Sequence, residues 1–312
     1  MKVFEGTNNI DITNPVVTIG IFDGVHKGHQ KIIRRVKQLA DPINGQSVVI
    51  TLWPPPRAIF KKKNETVNFL TGKNEKIQLL EKSGIDNLII LPFSREYANT
   101  PYKQFVEEVL IENIGVKHVV VGYNHAFGRN REGNFEKLVQ LSKTFNFIAE
   151  QVQPEIVDGK KISSTLIREH VEKGELETAN KFLGYDYSLI GKVIEGKKYG
   201  KKLGFPTANI LPVNPDKLIP ANGVYATIAE VDGTTYKGML NIGTRPTITE
   251  QDHSRSIEVH LLDFDKEIYH KEIKIRFIKR IRDEIRFDSV EKLIAQIQKD
   301  KIAIQDVLLS KE

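Results

Sequence analysis

Apolar runs at 16–22, 47–52, 87–91 and 117–122, with a weaker one near 146–152, alternate with helix-patterned stretches, and this alternation stops at about residue 184. Strand-like runs joined by helices restrict a chain to a parallel sheet covered by helices. Helical spacing covers 29–40, 73–83, 101–114 and 133–144. In the first of these, Ile32, Ile33, Val36 and Leu39 share a face, while Lys31, Arg34, Arg35 and Lys37 lie elsewhere. In such sheets ligands bind beyond the carboxyl ends of the strands, near a switch in strand order.

Past residue 184 the texture changes. Segments 188–195, 223–231, 235–241, 256–262 and 267–279 are rich in Val, Ile, Thr and Tyr and are linked by Gly, Pro and Asn turns. Asp232-Gly233 between two of them is a hairpin signal, since both residues tolerate the positive φ angles of a type I′ turn. Helical spacing returns only at 289–309. This half predicts a small antiparallel barrel with a terminal helix. The helices expected at about 164–183 close the first domain, which divides the chain into an α/β domain over 1–183 and a barrel domain over 184–312.

A length of 312 residues suffices for two cores. The chain has no cysteine, which excludes disulfides, thiolate catalysis and cysteine-based zinc sites. Net charge of +6 is mild and suits polyanionic small substrates as well as nucleic acid, and no basic footprint is concentrated enough to predict a nucleic-acid binder. Residues 1–15 lack an apolar signal core, and no window has the length and apolarity of a membrane span. The expectation is a cytoplasmic protein.

Gly20-Ile21-Phe22-Asp23-Gly24-Val25-His26-Lys27-Gly28-His29 falls where the first strand meets the first helix. Amide N–H groups and the positive dipole end at a helix start attract phosphate, and imidazoles placed there stabilise charge that develops during transfer. Two further segments end on the same edge. Val121-Gly122-Tyr123-Asn124-His125-Ala126-Phe127-Gly128 closes a strand with glycines and polar groups. Ser163-Ser164-Thr165-Leu166-Ile167-Arg168 puts three hydroxyls at a helix start and an arginine one turn later. Alone, those hydroxyls read as helix caps; beside the two histidines they read as phosphate ligands.

The barrel half carries a second constellation. Gly191, Gly196, Gly200 and Gly204 are spaced so that backbone can approach a phosphate chain, and Pro206-Thr207-Ala208-Asn209 follows them. Thr and Asn two residues apart suit one hard cation such as magnesium, and the same run taken alone fits equally a glycine-rich connection between strands with an ordinary Pro-Thr turn. Further on come Pro220-Ala221-Asn222-Gly223, Asn241-Ile242-Gly243-Thr244-Arg245-Pro246-Thr247 and Ile257-Glu258-Val259-His260. Glu258 and His260 share one face of a strand and Val259 the other. A carboxylate is costly on an inward face unless paired or functional, and ordinary on an outward one; periodicity does not say which face is inside.

Together these segments resemble the prokaryotic bifunctional riboflavin kinase/FAD synthetases. That family's nucleotidyltransferase module carries G-x-F-D-G-V-H-x-G-H, V-G-x-[ND]-x-x-F-G and S-S-T-x-[IV]-R in this order. The resemblance implies a Rossmann-like FMN adenylyltransferase domain whose ATP site is formed by Gly20, Phe22, Asp23, Gly24, His26, Gly28, His29, Asn124, Ser163, Ser164, Thr165 and Arg168, with His26 and His29 catalytic. The barrel segments resemble the riboflavin kinase module. They imply ATP and flavin binding by Gly191, Gly196, Gly200, Gly204, Pro206, Thr207, Asn209 and Arg282, magnesium held by Thr207 and Asn209, and Glu258 as general base. Ile281-Arg282-Asp283-Glu284 with Phe287 is similar to the family's L-R-x-E-x-x-F segment. The implied partners are riboflavin, FMN and ATP, with no nucleic acid and no membrane.

One departure stands out: the family has Pro-His-Pro-Arg after its second strand, and this chain has Pro54-Pro55-Pro56-Arg57. Proline neither donates a hydrogen bond nor carries charge. One alternative expectation is therefore a kinase with an impaired or differently specific adenylyltransferase module. Another is a flavin- or RNA-binding regulator whose barrel does not catalyse, although the barrel lacks an aromatic stacking run.

Overall fold

The computed structural model describes every residue except 9, 63–64, 197–199, 201–202, 245–254 and 310–312. It contains two compact units, residues 1–164 and 165–312.

The first unit is built on six parallel strands, β1 (Lys2–Glu5), β2 (Val16–Ile19), β3 (Ser47–Trp53), β4 (Asn87–Pro92), β5 (His118–Gly122) and β6 (Ile148–Val152). Their spatial order is β1-β4-β3-β2-β5-β6, with parallel pairing throughout. The chain builds from β2 through β3 to β4 on one side, then returns to place β5 on the other side of β2. The switch in strand order therefore falls between β2 and β5, and the Gly20–His29 segment and the loop after Gly122 both emerge at it.

Both faces of this sheet are covered, which explains the unbroken apolar runs. Val17, Ile19, Val48 and Ile50 pack on one side with Val106, Leu110 and Leu138. Val49, Leu88 and Ile90 pack on the other with Ile33 and Leu80. The covering helices include α1 (Lys27–Ala40), α2 (Pro56–Phe60), α3 (Lys73–Lys82), α4 (Tyr102–Gln104) and α5 (Phe135–Phe145). The helix expected over 101–114 begins as α4 and widens into a π-helix over Phe105–Asn113. A small hairpin of β7 (Ile156–Val157) and β8 (Lys160–Lys161) follows the sheet.

The second unit begins with α6 (Ser164–Glu172) and α7 (Leu176–Leu183). Asn180 of α7 donates a hydrogen bond of 2.8 Å to the Phe277 carbonyl, fixing the helix on the last strand of the barrel. Six antiparallel strands close a barrel: β9 (Ser188–Ile194), β10 (Ala208–Pro212), β11 (Gly223–Val231), β12 (Thr234–Thr244), β13 (Arg255–Leu261) and β14 (Glu272–Arg282). Their order is β10-β13-β12-β11-β14-β9, closing through β9 and β10. Asp232 and Gly233, at φ 49° and 77°, form the expected tight turn between β11 and β12. The expected terminal helix is α8 (Val290–Leu309), whose Ile304 and Leu308 cover Val224, Ala226 and Ile278 on the barrel's outer wall.

Four strands are not among those the sequence predicts: β1, β10 and the two short strands of the β7–β8 hairpin. Lys2-Val3-Phe4-Glu5 is mostly exposed and lies at a sheet edge, so little apolar patterning marks it. The β10 strand starts inside the Pro206–Asn209 motif, where glycines and proline suggest a loop.

Candidate active sites

In the first site the chain leaves β2 through a tight, strained turn. Gly20 N–H still donates to the Ile50 carbonyl, at 3.0 Å. Phe22 then takes φ 50°, Gly24 φ 81° and Val25 φ 33°. A β-branched residue in the left-handed region is strained, and such strain persists only where surrounding bonds over-determine it. Those bonds come from Asp23, 4% exposed. Its carboxylate accepts from the amides of Leu70 and Thr71, each at 3.0 Å, while the Thr71 hydroxyl accepts from Gly24 N–H at 3.0 Å. Asp23 thus acts here by pinning the turn to the approach of α3.

The turn delivers His26 to the N-cap of α1, where its Nδ1 accepts from His29 N–H at 3.3 Å. With Nδ1 accepting, the proton of the neutral ring lies on Nε2. The two imidazoles are stacked, with centroids 3.6 Å apart and planes inclined by 17°. Gly28 is what permits this, because a Cβ there would press on the His26 ring at 3.1 Å. His29 titrates well below the ordinary 6.5 because it is desolvated, with the neighbouring His26 and Lys76 adding to the effect. A neutral His29 and a helix N-terminus form a donor-rich, uncrowded receptor for phosphate.

Ser164 joins this turn, its hydroxyl donating to the Asp23 carbonyl at 2.9 Å. Ser163 directly precedes α6, and Thr165 and Arg168 lie one turn apart on that helix, in the second unit. Asn124 is exposed in the turn after β5, which is closed by His125 N–H donating to the Gly122 carbonyl at 3.1 Å. Burial, and secondarily Arg131, pushes the His125 imidazole down to about 4. Pro55, in place of the family histidine, caps α2 directly after β3.

Lys76 was not singled out in the sequence. It lies in the first turns of α3, is 2% exposed, and donates from Nζ to the Ile21 carbonyl at 2.6 Å. Nζ also lies 5.3 Å from the centre of the Trp53 ring. Burial lowers its pKa to about 8 against the opposing pull of Asp23.

In the second site the register of the barrel answers the question of faces. Val259 pairs with Leu240 and with the half-buried Ala208, and Ile257 with Ile242; Leu240, Ile242, Ile257 and Val259 fill the interior. Glu258 is therefore on the outer wall, directly opposite Asn209 of β10 on one side and Asn241 of β12 on the other. Opposed residues on neighbouring strands share a face with their Cβ atoms about 5 Å apart. Three polar side chains thus run in a row across three strands. Thr207 completes the row, its hydroxyl donating to Glu258 Oε2 at 3.2 Å.

Glycine spacing fits this row. A Cβ on Gly196 would lie 2.0 Å from Asn209 Nδ2, and one on Gly200 would lie 3.2 Å from Thr207 Oγ1. Gly204, at φ 83°, turns the chain into Phe205-Pro206, whose Pro206 carbonyl lies 2.8 Å from His260 Nδ1. Gly191 has a different role: a Cβ there would strike Ile210 inside the barrel at 2.3 Å. Thr207 Oγ1 and the Asn209 carboxamide oxygen are neutral hard donors beside a carboxylate, a set that fits magnesium with water and phosphate completing its shell.

Asn222 joins the other barrel motifs. Its amide donates to Thr244 at 2.9 Å and to Glu284 at 3.3 Å, and its carbonyl oxygen accepts from Arg255 at 3.0 Å. Arg245-Pro246-Thr247 of the same motif lies outside the described residues. Arg282 is held by Asp300 of α8 through bonds of 3.0 and 2.8 Å, and its guanidinium lies over the Phe287 ring. No helix among the described residues is long and apolar enough to cross a membrane.

Comparison with known proteins agrees with this architecture. Residues 9–166 match the FAD synthetase family and residues 183–308 the riboflavin kinase family. A bifunctional riboflavin kinase/FMN adenylyltransferase of Listeria monocytogenes is 40% identical over 92% of this chain and 90% of its own length. Its counterpart in Haemophilus influenzae is 38% identical, over 96% of this chain and 97% of its own. A crystal structure described as a macrolide-efflux protein from Streptococcus pneumoniae superposes with a TM-score of 0.89 at 28% identity, covering 98% of this chain and 99% of that one. With both domain families matched in order and full-length relatives above the identity at which a fold and its modules are shared, the chain belongs to the bifunctional riboflavin kinase/FMN adenylyltransferases.

Proposed function

We infer that this chain converts riboflavin to FMN and FMN to FAD, using ATP in both reactions. The observation that carries the first step is the row Thr207–Glu258 flanked by Asn209 and Asn241 beneath a glycine-bearing segment. Glu258 accepts the proton of the ribityl 5′-hydroxyl as its oxygen attacks the γ-phosphorus of ATP. A bond forms from that oxygen to phosphorus, the bridging bond to ADP breaks, and FMN and ADP leave. Thr207 and Asn209 would hold a magnesium ion, which would offset phosphate charge when bound. Gly196, Gly200 and Gly204 keep the cover thin enough for a phosphate chain, and Arg282 orders the flavin-side segment through its bond to Asp300.

For the second step the FMN phosphate attacks the α-phosphorus of ATP in line, and pyrophosphate leaves. His26 and His29 bind the ATP phosphates at the start of α1, supported by Asn124, Ser163, Ser164, Thr165 and Arg168. Gly20, Phe22, Asp23, Gly24 and Gly28 shape the turn that stacks the two rings. The two imidazoles and the helix N–H groups, fixed before the reaction, lower the barrier by positioning and by meeting charge as it develops. We assign adenylyl transfer to residues 1–183 and phosphorylation to 184–312, a division supported by family matches that end at 166 and resume at 183.

Purified protein incubated with riboflavin and Mg-ATP, with flavins resolved over time, tests the whole reading. FMN appears first and FAD follows. FMN that accumulates without FAD rejects the second step and directs attention to Pro55; absence of both rejects the assignment.

A further inference from the structure

We propose that Lys76 is a positioning residue for adenylyl transfer, its buried ammonium holding the Gly20–Gly24 turn in the shape that His26 and His29 require. The proposal rests on the reading of those histidines as phosphate ligands. Two reciprocal attachments join the turn to the approach and first turns of α3. The Asp23 carboxylate of the turn accepts from the amides of Leu70 and Thr71. The Lys76 ammonium of α3 donates back to the Ile21 carbonyl at 2.6 Å. Between these two anchors lies Phe22 at φ 50°, and just beyond lies Val25 at φ 33°. The strained stretch is thus clasped by an anion-to-amide bond from the segment leading into α3 and a cation-to-carbonyl bond from α3 itself.

A structural lysine is a poor choice for so buried a place. Burying an ammonium costs several kcal/mol, and an apolar side chain of similar length generally serves packing as well or better. Here the ammonium also lies over the Trp53 ring, a contact that a methionine of similar length would not reproduce. What methionine lacks is the donor to Ile21 and the positive charge. That charge acts on the site directly, because Lys76 is one of the neighbours that hold His29 in its neutral form. The charged and titratable groups that interact with it are Asp23 on the turn and His29 on α1. In the amphipathic pattern of 73–83 a lysine reads as solvent-facing, so only the fold reveals it.

The test compares Lys76→Met with Lys76→Arg in the full chain, following both reactions. Lys76→Met is expected to lower kcat for FAD formation from FMN by roughly 10- to 100-fold, the scale of small misplacements of reacting groups. Riboflavin phosphorylation in the same molecules stays within about twofold, since its site is built from other residues. Retention of near-normal FAD formation by Lys76→Met overturns the proposal, as does a loss that only tracks a smaller folded fraction in thermal unfolding. Lys76→Arg supplies a second readout. Arginine keeps both the donor and the charge, so Lys76→Arg is expected to retain most of the FAD formation that Lys76→Met loses. A loss in Lys76→Arg as deep as that in Lys76→Met, at equal folded fraction, overturns the proposal. His29→Ala serves as the reference: full FAD formation by that variant rejects the reading of the histidines, whatever Lys76 does.

Discussion

The Thr207 hydroxyl donates to the Glu258 carboxylate at 3.2 Å, joining the glycine-rich cover of the barrel to the middle of β13. The bond ties a candidate cation ligand to a candidate base, so a change to either is felt by the other. Its position on the outer wall also explains how a carboxylate is kept in a barrel without burying charge in the apolar interior.

Replacing Glu258 by Gln removes the proton acceptor while keeping the side chain's size. FMN formation is expected to fall by roughly 10²- to 10⁴-fold. Formation of FAD from supplied FMN is expected to continue at the wild-type rate, because the site proposed for it is built from other residues. A variant that still phosphorylates riboflavin normally excludes Glu258 as base.

Gly196→Ala separates function from stability. The added methyl would lie 2.0 Å from Asn209 Nδ2, and the carboxamide has to swing away. Riboflavin phosphorylation drops and needs more Mg-ATP to saturate, whereas the thermal midpoint moves by no more than a surface substitution would, about 0.5 kcal/mol in stability. Unchanged dependence on Mg-ATP would show that Asn209 does not serve that ligand.

Asp300→Ala tests the clasp between α8 and β14. Asp300 is 3% exposed and meets the Arg282 guanidinium in a fork of bonds, with Gln296 donating at 2.9 Å. Removing one partner of a buried pair costs about 3–5 kcal/mol, because the other charge is left without compensation. Urea unfolding followed by circular dichroism is expected to shift to markedly lower denaturant. Recovery in Arg282→Met/Asp300→Leu, where both charges are gone, would locate the loss in the unpaired arginine.

Much of this was legible in the sequence, and what was not has physical reasons. Alternating apolar runs and helical spacing disclose the parallel sheet because both of its faces are buried. The histidine motif discloses the switch point because glycines and imidazoles at a strand end have few other uses. Asp23 has its partners 47 and 48 residues away, so its pinning role emerges only once α3 is placed. The face of Glu258 is decided by Leu240 and Val259 meeting inside the barrel, a long-range fact that period-two alternation does not contain. Lys76 is hidden for the same reason: among Lys73, Glu75, Glu81 and Lys82 its burial leaves no mark on the pattern.

Acid sensitivity of the first unit follows from its neutral histidines. Burial lowers His125 to about 4 and holds His29 well below 6.5. Both groups bind protons less readily folded than unfolded, so stability is full above pH 6.5 and is lost as pH falls toward the folded value. For His125 the whole interval corresponds to at most about 3 kcal/mol. His125→Phe keeps a ring to pack on Phe127, whose centroid lies 5.7 Å away, and removes the titration. Urea midpoints measured between pH 7 and 5, a range above most carboxylate titration, should then fall less steeply in the variant than in the wild type. Equal slopes would mean that the His125 ring is already hydrated enough in the native turn to take up its proton at the ordinary pH.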